Sequence, residues 1–167
     1  IHPIDTFGTK DQKEKYLPSL ISGDKIGCFG LTESEAGSDP SSMKTTYKEN
    51  QDGYVLSGSK DWITNAPIAD IFIIWALNEY QETNSIKGFI VDKNTKGLST
   101  KTIENKTSLK ISPTGQIVMD DIFVHKSKCL ENTNGWSSVF NCLNKARFGI
   151  SWGVLGAASE SWLIAKD

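Results

Sequence analysis

Apolar residues follow a period of two across the middle of this chain, from about Lys25 to Val124, and a period near 3.6 beyond Asn134. The first pattern describes strands. Residues 26–31, 70–77 and 88–91 are apolar runs bounded by turn residues, and the second is continuous enough to be buried on both faces. Residues 45–48 and 54–58 flank Gln51-Asp52-Gly53, where Asp-Gly predicts a type I′ hairpin. Residues 98–103, 116–120 and 122–124 complete the set. No helix-length periodic segment separates these runs. Parallel βαβ units are therefore not expected, and an antiparallel barrel or sandwich is.

Helical patterns lie on either side. Thr9 predicts an N-cap with Asp11 and Gln12 in the first turn, Pro18 the start of a second short helix, and Gly23 its end. Toward the other end, Val139, Leu143, Ala146, Ile150, Val154, Ala158 and Trp162 form one stripe of a long helix. The pattern predicts an α+β chain: an antiparallel β-barrel or sandwich middle segment (25–132), with helical segments before it (1–24) and after it (133–167). The last helix has no partner helix in the chain on which to bury its stripe. The chain is expected to be the middle of a longer protein.

Composition narrows the function classes. With 167 residues, 38% hydrophobic and 23% charged, the chain is long enough for a core and too apolar for disorder. A net charge of -2 carries no bulk affinity for nucleic acid. No apolar run approaches the roughly 20 residues of a membrane helix, so no membrane span is expected. Cys28, Cys129 and Cys142 lack CxxC spacing and read as small buried hydrophobes. His2 and His125 are far apart without an HExxH neighbourhood, so no metal site is expected. The start, Ile1-His2-Pro3, shows neither a basic n-region nor an apolar h-region. Of 18 basic residues, all but Arg147 are lysines.

Two segments carry chemistry. In Gly30-Leu31-Thr32-Glu33-Ser34-Glu35-Ala36-Gly37-Ser38-Asp39-Pro40-Ser41-Ser42 a strand ends and a polar loop presents hydroxyls, with Gly37 allowing a ligand close to the backbone. Such a loop suits a pyrophosphate, and its composition equally suits an ordinary turn. Glu33 and Asp39 weaken the anion reading unless they cap the turn. It is neither a P-loop nor a GxGxxG opening a helix. In Leu56-Ser57-Gly58-Ser59-Lys60-Asp61-Trp62-Ile63-Thr64-Asn65, an aromatic face and a hydroxyl two residues apart share one side of a strand. That pair suits a flat heteroaromatic ring and also describes a core Trp beside a surface Thr.

Together the two segments resemble the acyl-CoA dehydrogenase family. Its flavin motif (small, aliphatic, Ser or Thr, Glu, two variable residues, small, Gly, Ser or Thr, Asp) is matched throughout residues 30–42, and Trp62-Ile63-Thr64 follows at the family's distance. The runs 27–33, 37–43, 62–70 and 142–152 make the chain most similar to the glutaryl-CoA dehydrogenases within it. The resemblance covers nearly the whole chain.

It implies a three-part subunit, helical, β and helical, assembled as a homotetramer, with FAD as cofactor and an acyl-CoA as substrate. Phe29, Gly30, Leu31, Thr32, Glu33, Gly37, Ser38, Trp62, Ile63 and Thr64 would bind FAD, with the Thr32 and Thr64 hydroxyls at the isoalloxazine edge. Ser38, Phe140, Asn144 and Arg147 would meet the acyl-CoA, Arg147 as polar anchor. The implied reaction is α,β-dehydrogenation with hydride transfer to FAD, followed in the glutaryl type by decarboxylation to crotonyl-CoA. Electrons would pass to an electron-transfer flavoprotein. The implied location is the bacterial cytoplasm or the mitochondrial matrix.

The catalytic Glu base is expected beyond Asp167 and the carboxylate-reading Arg before Ile1. Glu33, Glu35 and Glu160 do not match the base's motif, and no catalytic residue is assigned here. Two positions depart from the family. Ser34 stands where Pro is usual, so the loop loses a fixed φ. Lys110 stands where Arg is usual, a non-equivalent swap. The alternatives are a dehydrogenase for another short acyl-CoA, or a non-catalytic β-domain whose aromatic residues bind a ligand or partner.

Overall fold

A capping box starts the first long helix: Thr9 Oγ1 accepts from the Gln12 amide, and Gln12 Oε1 accepts from the Thr9 amide. The computed structural model describes residues 1–80 and 85–166. Helix α1 is His2–Phe7 and α2 is Lys10–Ser22, closed by Gly23 in the left-handed region at φ 83°. Pro18 lies inside α2 rather than opening a second helix. It removes the amide that would reach the Glu14 carbonyl, and both residues sit on the exposed side where water replaces it.

Seven strands follow among the described residues: β1 (Gly27–Gly30), β2 (Thr46–Glu49), β3 (Gly53–Thr64), β4 (Ile71–Asn78), β5 (Lys87–Asp92), β6 (Leu98–Thr102) and β7 (Thr114–His125). They form one sheet in the order β1-β4-β2-β3-β7-β6, with β5 on the other side of β4. Inward residues of β1 to β5 and β7 (Cys28, Tyr47, Leu56, Ile74, Phe89 and Ile117 among them) share a single core with Leu98 of β6 packed against it. A flat sheet cannot bring both its ends to one core, so the sheet curls on itself.

Most neighbours are antiparallel, as the pattern predicts, but β1 and β2 both run parallel to β4. The long return that parallel neighbours require is made by the β2–β3 hairpin instead of a helix. That hairpin forms, though not through a type I′ turn: neither Asp52 nor Gly53 has a positive φ. The Asn50 side chain accepts from both their amides instead. The runs 116–120 and 122–124 are one strand, β7, bent at Asp121 (φ 46°), where an extra residue bulges opposite Ser57. Ser57 Oγ donates to the Asp121 carboxylate across the bulge.

β4 is buried on both faces. Phe72, Ile74 and Ala76 enter the core, while Ile71 and Ile73 line a cavity of about 360 Å³ whose far wall includes Ile4 and Leu20 from α1 and α2. The cysteines are free and buried, and burial pushes the thiols of Cys28, Cys129 and Cys142 up, to about 12, 11 and 11. Residues Ile1–Gly135 form one compact unit and Trp136–Asp167 another. The second is helix α3 (Gly135–Lys166), and Asp167, the last residue of the predicted third segment, lies outside the described residues. None of the described helices is long and apolar enough to cross a membrane.

Gly58 is strained and crowded at once, at φ 137°, where a Cβ would lie 2.7 Å from Thr45 Oγ1 and 2.8 Å from Thr45 Cα. Gly58→Ala is expected to cost at least ~1 kcal/mol, read as a lower urea midpoint at unchanged slope.

Candidate functional site

Lys60 is fully buried, on the inward-facing row of β3 that Tyr54 and Leu56 begin. A buried ammonium needs acceptors, and the loop after β1 supplies them. Its Nζ donates to Glu33 Oε1 at 2.8 Å and to the Leu31 carbonyl at 3.1 Å. Glu33 in turn accepts the Lys44 amide at 2.6 Å and the Thr45 amide at 3.0 Å. Burial pushes the Glu33 carboxyl up, but the Lys60 charge and these hydrogen bonds outweigh it and hold the group below its ordinary value. Burial pulls the Lys60 ammonium down, against the Glu33 charge. Asp39 caps a 3₁₀ turn, accepting the Ser41 amide at 3.1 Å. The carboxylates of Glu33 and Asp39 are thus capping groups engaged with the loop's own backbone.

The next residues of β3 turn the strand outward. Between Lys60 and Ile63 the ladder gains one residue on β3, a bulge, and Trp62 takes φ 59°. A left-handed conformation costs a residue with a Cβ about 1–2 kcal/mol and persists only where the surroundings fix it. Here Asp61 is buried, its amide donating to the Thr32 carbonyl at 2.9 Å and its carboxylate accepting from Ser34 Oγ. Ile63 returns to the core. Trp62, 61% exposed, and Thr64 therefore lie on the same open side of the strand, as their spacing predicts.

Thr64 borders two cavities. With Trp62 it lines one of about 440 Å³, whose other wall is the loop of residues 104–114. That loop is knitted by Lys106, whose Nζ donates to the carbonyls of Leu109 and Ser112 and to Thr114 Oγ1. With Phe29, Thr64 lines the 360 Å³ cavity between β1, β4 and the first helices.

Of the other residues in the loop motif, Gly30 is buried where a Cβ would meet Ile74 Cδ1 at 2.7 Å, Leu31 is buried, and Thr32 is half-buried. Gly37 and Ser38 are exposed. Gly37 has no positive φ, and no atom lies within 4 Å of its would-be Cβ. Phe140, Asn144 and Arg147 are exposed on successive turns of α3, and Arg147 Nη1 donates to Asn144 Oδ1 at 3.1 Å. Ser34, Lys60, Asp61 and Lys106 were not among the predicted site residues. Lys60 was legible: it occupies an inward position of an alternating strand, which calls for a carboxylate elsewhere.

The middle-domain model of the acyl-CoA dehydrogenases matches residues 28–122. The chain belongs to the acyl-CoA dehydrogenase family. An acyl-CoA dehydrogenase of Bacillus subtilis is 40% identical over 99% of this chain and 44% of its own length. A short-chain-specific acyl-CoA dehydrogenase of Clostridium acetobutylicum is 37% identical over 98% of the chain and 44% of its own. Among solved structures, a glutaryl-CoA dehydrogenase from Mycobacterium smegmatis in complex with FADH2 superposes with a TM-score of 0.89 at 41% identity, over 94% of this chain and 40% of that one. The chain spans less than half the length of these family members.

Glu33→Gln leaves Lys60 buried without its counter-charge, and at pH 7 should cost about 3–5 kcal/mol. Because the folded carboxyl titrates below its unfolded value, the wild type should lose this stabilisation as pH falls through the ordinary carboxylate range toward the lowered value. Urea midpoints measured against pH should show a steep acid limb in the wild type and a flatter one in the variant.

Proposed function

We propose that this chain is the FAD-binding central portion of an acyl-CoA dehydrogenase of the glutaryl type. In this reading residues 1–24 end a helical domain, 25–132 are the flavin-binding β-domain, and 133–167 begin the C-terminal helical domain of a homotetramer. The observation that carries it is the pair Trp62 and Thr64, held on one open face by a bulge with left-handed backbone at Trp62, with Thr64 shared between two cavities.

The residues fit the group. A flavin needs stacking area, neutral donors at its ring edge and room for a pyrophosphate, and the surface offers an exposed indole, the hydroxyls of Thr32, Ser38 and Thr64, and the uncrowded backbone at Gly37. Glu33 and Asp39 are engaged as caps and Glu35 is paired with Lys44, which lowers their opposition to an anion.

FAD bound there supplies the acceptor for a hydride from the β-carbon of the thioester. This chain's share of the work is placement. Trp62 covers an aromatic face, Thr32 and Thr64 donate to the ring edge, and Ser38 with the Gly37 backbone receives the pyrophosphate. Phe29, Gly30, Leu31, Glu33 and Ile63 shape and brace the site. Phe140, Asn144 and Arg147 serve the CoA side, where a planar guanidinium holds a phosphate or carbonyl in a way an ammonium does not. The α-proton goes to a Glu contributed from outside these residues, and the electrons leave to an electron-transfer flavoprotein. The compartment is the bacterial cytoplasm or the mitochondrial matrix.

The similarity to a short-chain-specific enzyme favours a second substrate reading, a straight short acyl-CoA. The complete protein is expected to purify yellow and to bleach anaerobically with glutaryl-CoA, releasing CO2. Bleaching with butyryl-CoA alone would transfer the assignment to the short-chain type, and a colourless protein that takes up no FAD would end both. The 167 residues alone should show no turnover. Arg147→Lys in the complete protein should weaken acyl-CoA binding roughly tenfold, as loss of a bidentate contact does, measured by titrating the flavin spectrum; unchanged affinity would return Arg147 to the solvated surface.

A further inference from the structure

Three separate contacts tie the loop after β1 to the two residues that precede Trp62. Lys60 Nζ reaches the Leu31 carbonyl and Glu33, the Asp61 amide reaches the Thr32 carbonyl, and Ser34 Oγ donates to the Asp61 carboxylate. The first two fix the bulge to the loop at its buried end. The third acts at the loop's outer turn, where Glu33 and Ala36 close a tight pair of backbone hydrogen bonds around Ser34 and Glu35. Ser34 is itself exposed, so its hydroxyl has water as an alternative partner, yet it is turned to a buried carboxylate. Asp61 gains an acceptor role inside the bulge that an apolar residue there could not fill.

We propose that Ser34 and Asp61 form a positioning latch, which sets the indole of Trp62 and the hydroxyl of Thr64 at a fixed distance from the loop that carries Thr32 and Ser38. It replaces, by a side-chain bond, the rigidity a proline at position 34 would provide. The latch needs no contact with the ligand: it acts through the left-handed backbone of Trp62, which needs its neighbours held to stay in that conformation. The ligand side of the proposal rests on the flavin reading above.

The test is a double-variant cycle in the complete protein: Ser34→Ala, Asp61→Ala, the pair together, and the conservative Ser34→Thr and Asp61→Asn. FAD affinity is read by fluorescence titration, the bound flavin by its visible circular dichroism, and the apoprotein by urea unfolding. Ser34→Ala and Asp61→Ala should each weaken FAD binding roughly five- to tenfold and alter the flavin dichroism. The double variant should be no worse than the weaker single one, and Ser34→Thr and Asp61→Asn should stay within about twofold of wild type, since each keeps the bond. Effects that multiply in the double variant overturn the latch. So does a shift in the urea midpoint with FAD affinity and dichroism unchanged, which would make the contact structural only. Should the wild type bind no FAD, the flavin reading fails by itself. The latch then stands or falls on whether the bond holds Trp62: near-ultraviolet circular dichroism altered in Ser34→Ala and Asp61→Ala, and no further in the double variant, keeps it, and an unchanged spectrum removes it.

Discussion

The buried ion pair of Lys60 and Glu33 organises the end of this domain where the loop after β1 meets β3. Neither charge could be taken out of water alone. Paired, they leave further hydrogen-bonding capacity, which is spent on the Leu31 carbonyl and on the amides of Lys44 and Thr45. One side chain of a strand thereby gathers both ends of a loop that has no regular hydrogen-bond ladder of its own. The loop's shape follows from an electrostatic necessity inside the sheet, and the conformation around it, including the bulge at Trp62, is built on that fixed point.

Bulges give the β3–β7 ladder its second job. Twelve residues of alternating strand would place every other side chain in the core without exception. The extra residue on β3 lets Lys60 and Asp61 both turn inward and Trp62 and Thr64 both turn out, and the extra residue on β7 at Asp121 bends the sheet at its other end. The same irregularity that curls the sheet around one core therefore presents an aromatic face and a hydroxyl to the outside. Fold and site share their cause, and the chain spends backbone strain where a ligand is proposed to sit.

Much of this was legible without coordinates. The hairpin around residues 50–53, the doubly buried β4, the N-cap at Thr9, the helix end at Gly23 and the long final helix all follow from local chemistry, because each is decided within a few residues. The same holds for the pairing of Trp62 with Thr64 and for the motif of residues 30–42. What escaped were choices between local alternatives that the residue types alone do not decide. Pro18 is tolerated inside α2 because its side of the helix faces water. The hairpin avoids a type I′ turn because Asn50 binds the turn amides first.

The order of residues alone settled where the strand region and the long final helix lie and which family the chain resembles, since period and motif spacing are properties of neighbours along the chain; it did not settle that Pro18 lies inside one helix or that 116–124 belongs to one strand. It did not settle that β1 and β2 lie parallel to β4, that Glu33 is a brace and not an obstacle to an anion, or that Ser34 answers to Asp61. Those depend on groups 27 residues or more apart meeting in a medium of low dielectric, where an unpaired charge or hydroxyl is too costly to leave alone. Only the folded sheet brings those partners within bonding distance.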